Sequence, residues 1–149
     1  MFSRSSNRLG CFGSQLSAWR VWVLPAEGIA EAPSNATPLE AVAAGLERAA
    51  SAMGPTNREL APRLKAAIAS SVELQERDAR ESVSLAAAMT TALIARGLPD
   101  PTAALASELG LLAFKRGYAE WSEGDADDEL AGYALAALDE LRAASASLG

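Results

Sequence analysis

Apolar residues recur every three or four positions along most of the chain from residue 37 onward. This spacing places them on one face of an α-helix and is the main sequence signal for amphipathic helices. The first such segment begins at "TPLE", where Thr37 can cap the helix, Pro38 suits its first turn and Glu40 completes a capping box. We predict that this helix runs to the break at Gly54-Pro55. Its apolar stripe consists of Leu39, Val42, Ala43, Leu46, Ala50 and Met53.

Two further helices are predicted between this break and Gly97. The second helix starts after Asn57, so that Pro62 falls in its first turns or kinks it. The segment "SSVELQERD" then indicates a bend and a new start, and the third helix runs from about Glu73 to Arg96. Gly97 suits the C-cap of this helix, and "LPDP" stops it. The stripe of the third helix consists of Leu85, Met89 and Leu93, with Ala86, Thr90 and Ile94 beside it.

The fourth predicted helix, from about Thr102 to Ser122, is apolar on two sides. A helix of this kind must be covered on most of its sides. In so small a bundle, we expect it to lie between its own core and a second subunit. One stripe consists of Leu105, Leu109, Leu112 and Ala113, and the other of Leu111, Phe114, Tyr118 and Trp121. The fifth helix follows "GDADDE", runs to about Ala146, and has its stripe at Leu130, Tyr133, Ala134, Ala137, Leu138 and Leu141.

Residues 1–36 lack this periodicity. The stretch "PAEGIAEAPSNATP" contains several turn-forming residues, so we predict an irregular tail and linker over residues 1–36. Trp19 and Trp22 flank Arg20 in this tail, but one arginine and two aromatics without a folded platform make a poor nucleic-acid or membrane site. We therefore predict an all-α fold of five helices, formed by a single domain over residues 37–149.

Composition agrees with a helical domain and limits its partners. Half of the residues are hydrophobic, many of them alanine, the strongest helix former, and aromatics make up only 5%. The net charge of −6 argues against binding of nucleic acid by this chain. Since no stretch offers the roughly 18 uncharged apolar residues of a bilayer span, we predict no membrane association. The single cysteine, Cys11, excludes an internal disulfide and fits a reducing compartment, so we expect a cytoplasmic location.

The residues needed for common catalytic chemistry are missing from the sequence. The chain contains no histidine, which excludes histidine metal ligands and Ser–His or Cys–His catalysis. It also contains no glycine-rich phosphate loop and no serine nucleophile elbow. We therefore predict that the protein is not an enzyme and uses no cofactor.

An acidic cluster precedes the fifth predicted helix. A calcium loop counted from Asp125 would need glycine and glutamate where Leu130 and Ala136 stand. Acidic side chains at a helix N-terminus complement the helix dipole, and this interpretation is favoured over a cation site. The cluster consists of Asp125, Asp127, Asp128 and Glu129.

Three stretches give the chain a resemblance to the C-terminal region of TetR-family transcriptional regulators. "RLKAAIASSVELQER" resembles a helix of that region followed by a serine-rich turn and a new helix. "SLAAAMTTALIARGLPDPTAALASELGLLAFKRGYAEWSEG" resembles its long helix, the Gly/Pro break and the penultimate helix, which commonly ends with a tryptophan shortly before a glycine, here Trp121 and Gly124. "ELAGYALAALDELRAA" resembles the last helix, and the likeness extends over residues 37–148.

The resemblance implies a homodimer that binds a small apolar effector. In the family, the last two helices pair with their symmetry mates, and the preceding helices enclose the effector pocket. The implied interface consists of Leu105, Leu109, Leu112, Leu130, Ala134, Ala137, Leu138 and Leu141. Candidate pocket residues, which can equally be plain core, are Met53, Met89, Thr90, Phe114, Tyr118 and Trp121.

The family's DNA-binding head is the part that the chain does not match. That head is a helix-turn-helix domain of about 50 residues, whereas residues 1–36 lack its alanine pair, turn glycine and tyrosine-phenylalanine pattern. A truncated or rearranged gene, or a frame error, would account for this difference. We therefore predict the effector-binding and dimerisation domain of a TetR-like regulator, with DNA binding only through a head not recognisable here. The alternative is a stand-alone helical module that binds a ligand or partner without a transcriptional role.

Overall fold

The computed structural model describes residues 23–125 and 127–149, and within them the fold is all-α. The prediction of an all-α fold is confirmed, but the described chain contains six helices rather than five. We number them α1 (residues 23–31), α2 (Pro38–Ser51), α3 (Pro55–Ser70), α4 (Val72–Ala95), α5 (Asp100–Glu123) and α6 (Leu130–Ala146). Trp19, Arg20, Trp22 and Cys11 of the predicted tail lie outside the described residues. In the part of the chain that the structure describes, no helix is both long enough and apolar enough to cross a membrane.

Helix α1 corrects the prediction that residues 1–36 form an irregular tail and linker, because residues 23–31 are helical. Its Ile29 is fully buried in the larger of two apolar clusters of the described residues, which we call the main core. Gly28 lies so close to Gly45 of α2 that a Cβ there would be 2.7 Å from the Gly45 Cα. The glycine that we interpreted as a turn former therefore allows two helices to approach closely.

Two arginines hold α1 in place from other helices. Arg48 of α2 forms ion pairs with Glu27, at 3.3 Å, and with Glu31. Arg96, the C-cap of α4, donates hydrogen bonds to the carbonyl oxygens of Ile29 and Ala32, at 3.2 and 2.8 Å. These carbonyls lie at the C-terminal end of α1, where main-chain oxygens lack partners within the helix. Tertiary contacts therefore stabilise a segment that has weak helical spacing of its own.

Helix α2 begins as predicted, and α3 begins earlier than predicted. The Thr37 backbone N–H donates to Glu40 Oε2 at 2.8 Å, and the Glu40 N–H donates to Thr37 Oγ1 at 3.2 Å, which completes the capping box. Helix α3 starts at Pro55 rather than after Asn57. The reason is that Asn57 Oδ1 accepts a hydrogen bond from the Gly54 N–H at 2.9 Å, so Asn57 caps the helix from inside its first turn.

The boundaries of the last three helices follow the sequence signals. Helix α4 begins after Ser71, whose hydroxyl accepts a hydrogen bond from the Leu74 N–H. It ends before Gly97, whose φ of +96° lies in the left-handed region that favours glycine. Helices α5 and α6 extend to within two residues of their predicted ends.

The core is organised around α5, which packs against α2, α4 and α6. The inward side of α5 is a stripe of small residues with Trp121 at its end. At Gly117, an added Cβ would lie 2.6 Å from the backbone nitrogen of Ala134, so α5 and α6 are in close backbone contact. At Gly110, an added Cβ would lie 2.6 Å from Val42 Cγ1 of α2. The stripe consists of Ala103, Ala106, Gly110, Ala113, Gly117 and Trp121.

Candidate functional site

The outer side of α5 presents an apolar surface, which we call the leucine face: Leu105, Leu109 and Leu112. Leu105 is 62% exposed and Leu112 is 46% exposed, whereas Leu109 is half-buried against the main core. These leucines line a shallow groove of about 300 Å³ together with Leu111, Glu108 and Lys115. Moving leucine side chains out of water lowers the free energy, so this surface favours a partner that covers it.

The predicted interface residues on α6 have a different environment from the leucine face. All five are buried within the chain itself, where they pack against α5 and α2. Their side chains therefore form intrachain core, and the part of the predicted interface that faces outward is the leucine face. The five residues are Leu130, Ala134, Ala137, Leu138 and Leu141.

The six predicted pocket residues fall into two groups. Met89 is fully buried in the main core, and Thr90 is half-buried beside it on α4, with its hydroxyl donating to the Ala86 carbonyl oxygen at 2.8 Å. The other four lie in a second apolar cluster at the C-terminal end of α5, which also contains Ala50 and Leu130. We call this the tryptophan cluster, and its predicted members are Met53, Phe114, Tyr118 and Trp121.

Trp121 is the centre of the tryptophan cluster. Its side chain is 2% exposed, and its Nε1 donates a hydrogen bond to the Asp128 carbonyl oxygen at 2.9 Å. The Tyr118 ring is tilted against the indole, with the ring centroids 5.8 Å apart, a favourable aromatic geometry. Burial raises the pKa of the Tyr118 hydroxyl, because the charged phenolate would lose hydration there.

A second groove, of about 270 Å³, lies next to the tryptophan cluster between α3 and the end of α5. The Nε of Arg58 on α3 donates to the Trp121 carbonyl oxygen at 2.9 Å and so connects the two helices. Helix α3 is otherwise lightly packed, because Ala61 is its only buried residue and Leu60 and Leu64 are about half exposed. The groove is lined by Pro55, Arg58, Glu59, Pro62 and Ser122.

Neither groove is lined by any of the six predicted pocket residues. Met89 and the tryptophan cluster are packed as core. The opening nearest to the cluster is therefore the groove beside α3 rather than a cavity inside the bundle.

Asp128 of the acidic cluster connects the loop before α6 to α5 and α6 by hydrogen bonds. Asp128 Oδ2 accepts a hydrogen bond from the Tyr133 hydroxyl at 2.7 Å, and this bond is the main cause of the raised pKa of Tyr133. The Asp128 backbone meanwhile accepts the Trp121 hydrogen bond, so the loop joins α5 to α6. Within residues 23–125 and 127–149, no three acidic or cysteine side chains are grouped to hold a metal ion.

Sequence reasoning missed two charged residues at the rim of the leucine face. Glu108 and Lys115 line the same groove as the leucines. They are two helical turns apart, which places opposite charges on one face. Their spacing relative to the stripe is a signal that was present in the sequence but was not used.

Comparisons with known proteins leave the family of this chain open. Neither a scan against protein-family models nor a search of curated proteins finds a match to the chain.

Proposed function

We propose that the chain is the dimerisation and effector-binding domain of a TetR-like transcriptional regulator, in which α5 forms the contact between two copies. The observation that carries the proposal is the leucine face, because α5 is packed by its own chain on the inner side and exposes leucines on the outer side. An apolar helix face left open in an all-α bundle is typical of a subunit that completes its core by association. In this proposal the chain, which has a net charge of −6, contacts DNA only through a head that is not recognisable in it.

The effector half of the proposal concerns the groove between α3 and α5. The tryptophan cluster beside it consists of aromatic and methionine side chains, which suit apolar ligands. Helix α3 has one buried residue, so a movement of this helix exposes little of the core. An effector of aromatic or aliphatic chemistry would then enter beside Arg58 and contact the tryptophan cluster.

The oligomeric state in solution tests the dimer half. We expect the wild-type chain to be a dimer, and Leu112→Glu to be a folded monomer, because the substitution places charge on the leucine face without disturbing the intrachain core. Val83→Glu is the matched control: Val83 is 70% exposed on α4, so this variant should remain dimeric. Light scattering coupled to size exclusion gives the masses, and circular dichroism shows that the variants are folded. A Leu112→Glu variant that dimerises like the control would contradict the placement of the dimer contact on the leucine face.

Ligand-dependent thermal stability tests the effector half. A compound that binds only the native state, at 100 times its dissociation constant, stabilises the protein by about 2.7 kcal/mol, which raises Tm measurably. We expect flat aromatic compounds or medium-chain fatty acids to give such shifts, and Met53→Gln to reduce them, because Met53 lies at the partly exposed edge of the cluster. Val83→Gln, far more exposed and on α4, should leave the shifts unchanged. A panel with no shift for the wild type would contradict effector binding here.

A further inference from the structure

The leucine face carries opposite charges at two points along the same helix. Glu108 lies between Leu105 and Leu112 in sequence, and Lys115 lies one turn beyond Leu112. Both side chains are exposed, and neither forms an ion pair with any of the residues that the structure describes. The neighbouring Arg116, in contrast, is already 4.0 Å from Glu140 of α6. Among the described residues, the charged groups at this face without an ion pair are therefore one carboxylate and one ammonium group.

These charges distinguish between the ways in which two copies of α5 can meet. In a parallel pair, Glu108 would lie level with Glu108 and Lys115 level with Lys115, so neither charge would meet its opposite across the contact. In an antiparallel pair with the two-fold axis near residues 108–109, the leucines overlap but the two Glu108 carboxylates lie side by side. In an antiparallel pair with the axis beside Leu112, each Glu108 lies on the same flank as Lys115 of the second copy and about one residue, or about 1.5 Å, from it along the helix axis. This last register forms two reciprocal ion pairs around a central apolar contact.

We propose that the second copy covers the leucine face with its own α5 in antiparallel orientation, with the two-fold axis beside Leu112 and reciprocal Glu108–Lys115 ion pairs at the two ends. The inference rests on the proposed function, which it deepens by defining the partner surface and its register. In this register Leu112 contacts Leu112 of the second copy, and Leu105 lies opposite Ala119, an exposed small residue on the same side of α5. The contact is isologous, as a two-fold dimer requires.

Cysteine cross-linking tests this register directly. In a Cys11→Ser background, which removes the chain's one cysteine, Leu112→Cys is expected to form a disulfide-linked dimer under mild oxidation. Leu105→Cys is the matched control, because its two copies would be about 21 Å apart along the helix axis. That separation far exceeds the roughly 7 Å limit between the Cα atoms of a disulfide. Combining Leu105→Cys with Ala119→Cys should restore cross-linking. Positions 105, 112 and 119 are all exposed, so we expect these cysteine variants to fold, and circular dichroism checks that they do.

Charge reversal gives an independent readout. We expect Glu108→Lys and Lys115→Glu each to raise the dimer dissociation constant about tenfold at low salt, because each turns two attractive contacts into repulsive ones. The double variant Glu108→Lys/Lys115→Glu should return to within about threefold of wild type, and the differences should shrink at high salt. Recovery in the double variant is a result that a merely structural role of either residue would not produce.

The outcomes separate the register from the proposed function. A wild-type chain that is monomeric at every concentration would overturn the homodimer and, with it, the register. A wild-type dimer in which Leu105→Cys cross-links as readily as Leu112→Cys would leave the homodimer standing and overturn the antiparallel register. A dimer whose charge-reversal double variant is no tighter than the single variants would overturn the reciprocal ion pairs.

Discussion

Replacing Gly117 with alanine is expected to destabilise the folded chain by about 3 kcal/mol. The added Cβ would lie 2.6 Å from the Ala134 nitrogen, 2.7 Å from its Cα and 2.9 Å from the Tyr133 carbonyl carbon. These are backbone atoms of α6, so no side chain can rotate away to relieve the overlap. The helix as a whole must shift, and the contacts that it makes along its length with α5 weaken together.

Gly132→Ala is the matched control for this substitution. Gly132 lies in α6, close to the same contact, but a Cβ built there has nothing within 4 Å. Alanine is a better helix former than glycine by about 1 kcal/mol, so this variant should be slightly more stable than wild type. Urea unfolding followed by circular dichroism, at one fixed protein concentration, measures both changes. If the two variants change stability in the same direction, the close contact of α5 and α6 at Gly117 is wrong.

Helix ends were the part of the fold that the sequence predicted best. They depend on local chemistry: Thr37 and Glu40 complete a capping box, and Gly97 adopts a positive φ after α4. A cap involves only residues three or four positions apart, so a pattern in the sequence contains all of its partners. Asn57 was the exception, because its amide can cap a helix from inside as well as precede one.

Helix α1 was missed because its stability comes from residues far away in the chain. Pro25 and Gly28 indicate a turn by their own preferences, but both are buried against α2. Arg48 and Arg96 supply ion pairs and hydrogen bonds from positions that follow α1 by about 20 and 65 residues. Tertiary contacts of this kind override local propensity, and no window along the sequence contains them.

The direction of the apolar stripes on α5 could not be predicted from spacing alone. The two leucine-containing stripes were predicted to lie between the chain's own core and a second subunit, but the surface in closest contact with α2 and α6 is made of alanine and glycine. Small residues allow helix backbones to approach closely, which leaves the larger leucines Leu105 and Leu112 on the outside. Four of the six candidate pocket residues lie together around the end of α5, and their packing as core depends on α2 and α6, which spacing within one helix does not report.

The second large effect is expected at Trp121, where replacement with alanine should destabilise the chain by about 3–5 kcal/mol. The indole is the largest fully buried side chain of the described residues and joins α2, α5 and the start of α6 through Ala50 and Leu130. Its removal leaves a cavity among side chains that belong to three helices. The Asp128 carbonyl oxygen also loses its hydrogen-bond donor, which weakens the loop before α6.

Trp121→Phe separates the two contributions. Phenylalanine keeps most of the apolar volume but cannot donate to Asp128, so we expect a loss of about 1–2 kcal/mol, well below that of alanine. Leu148→Ala, at a side chain that is 87% exposed, should change stability by less than about 0.5 kcal/mol and controls for the loss of apolar surface as such. Denaturant unfolding of the wild type and of the Trp121→Ala, Trp121→Phe and Leu148→Ala variants ranks their free energies of unfolding. A Trp121→Ala variant within about 1 kcal/mol of wild type would mean that the tryptophan cluster does not hold α2, α5 and α6 together.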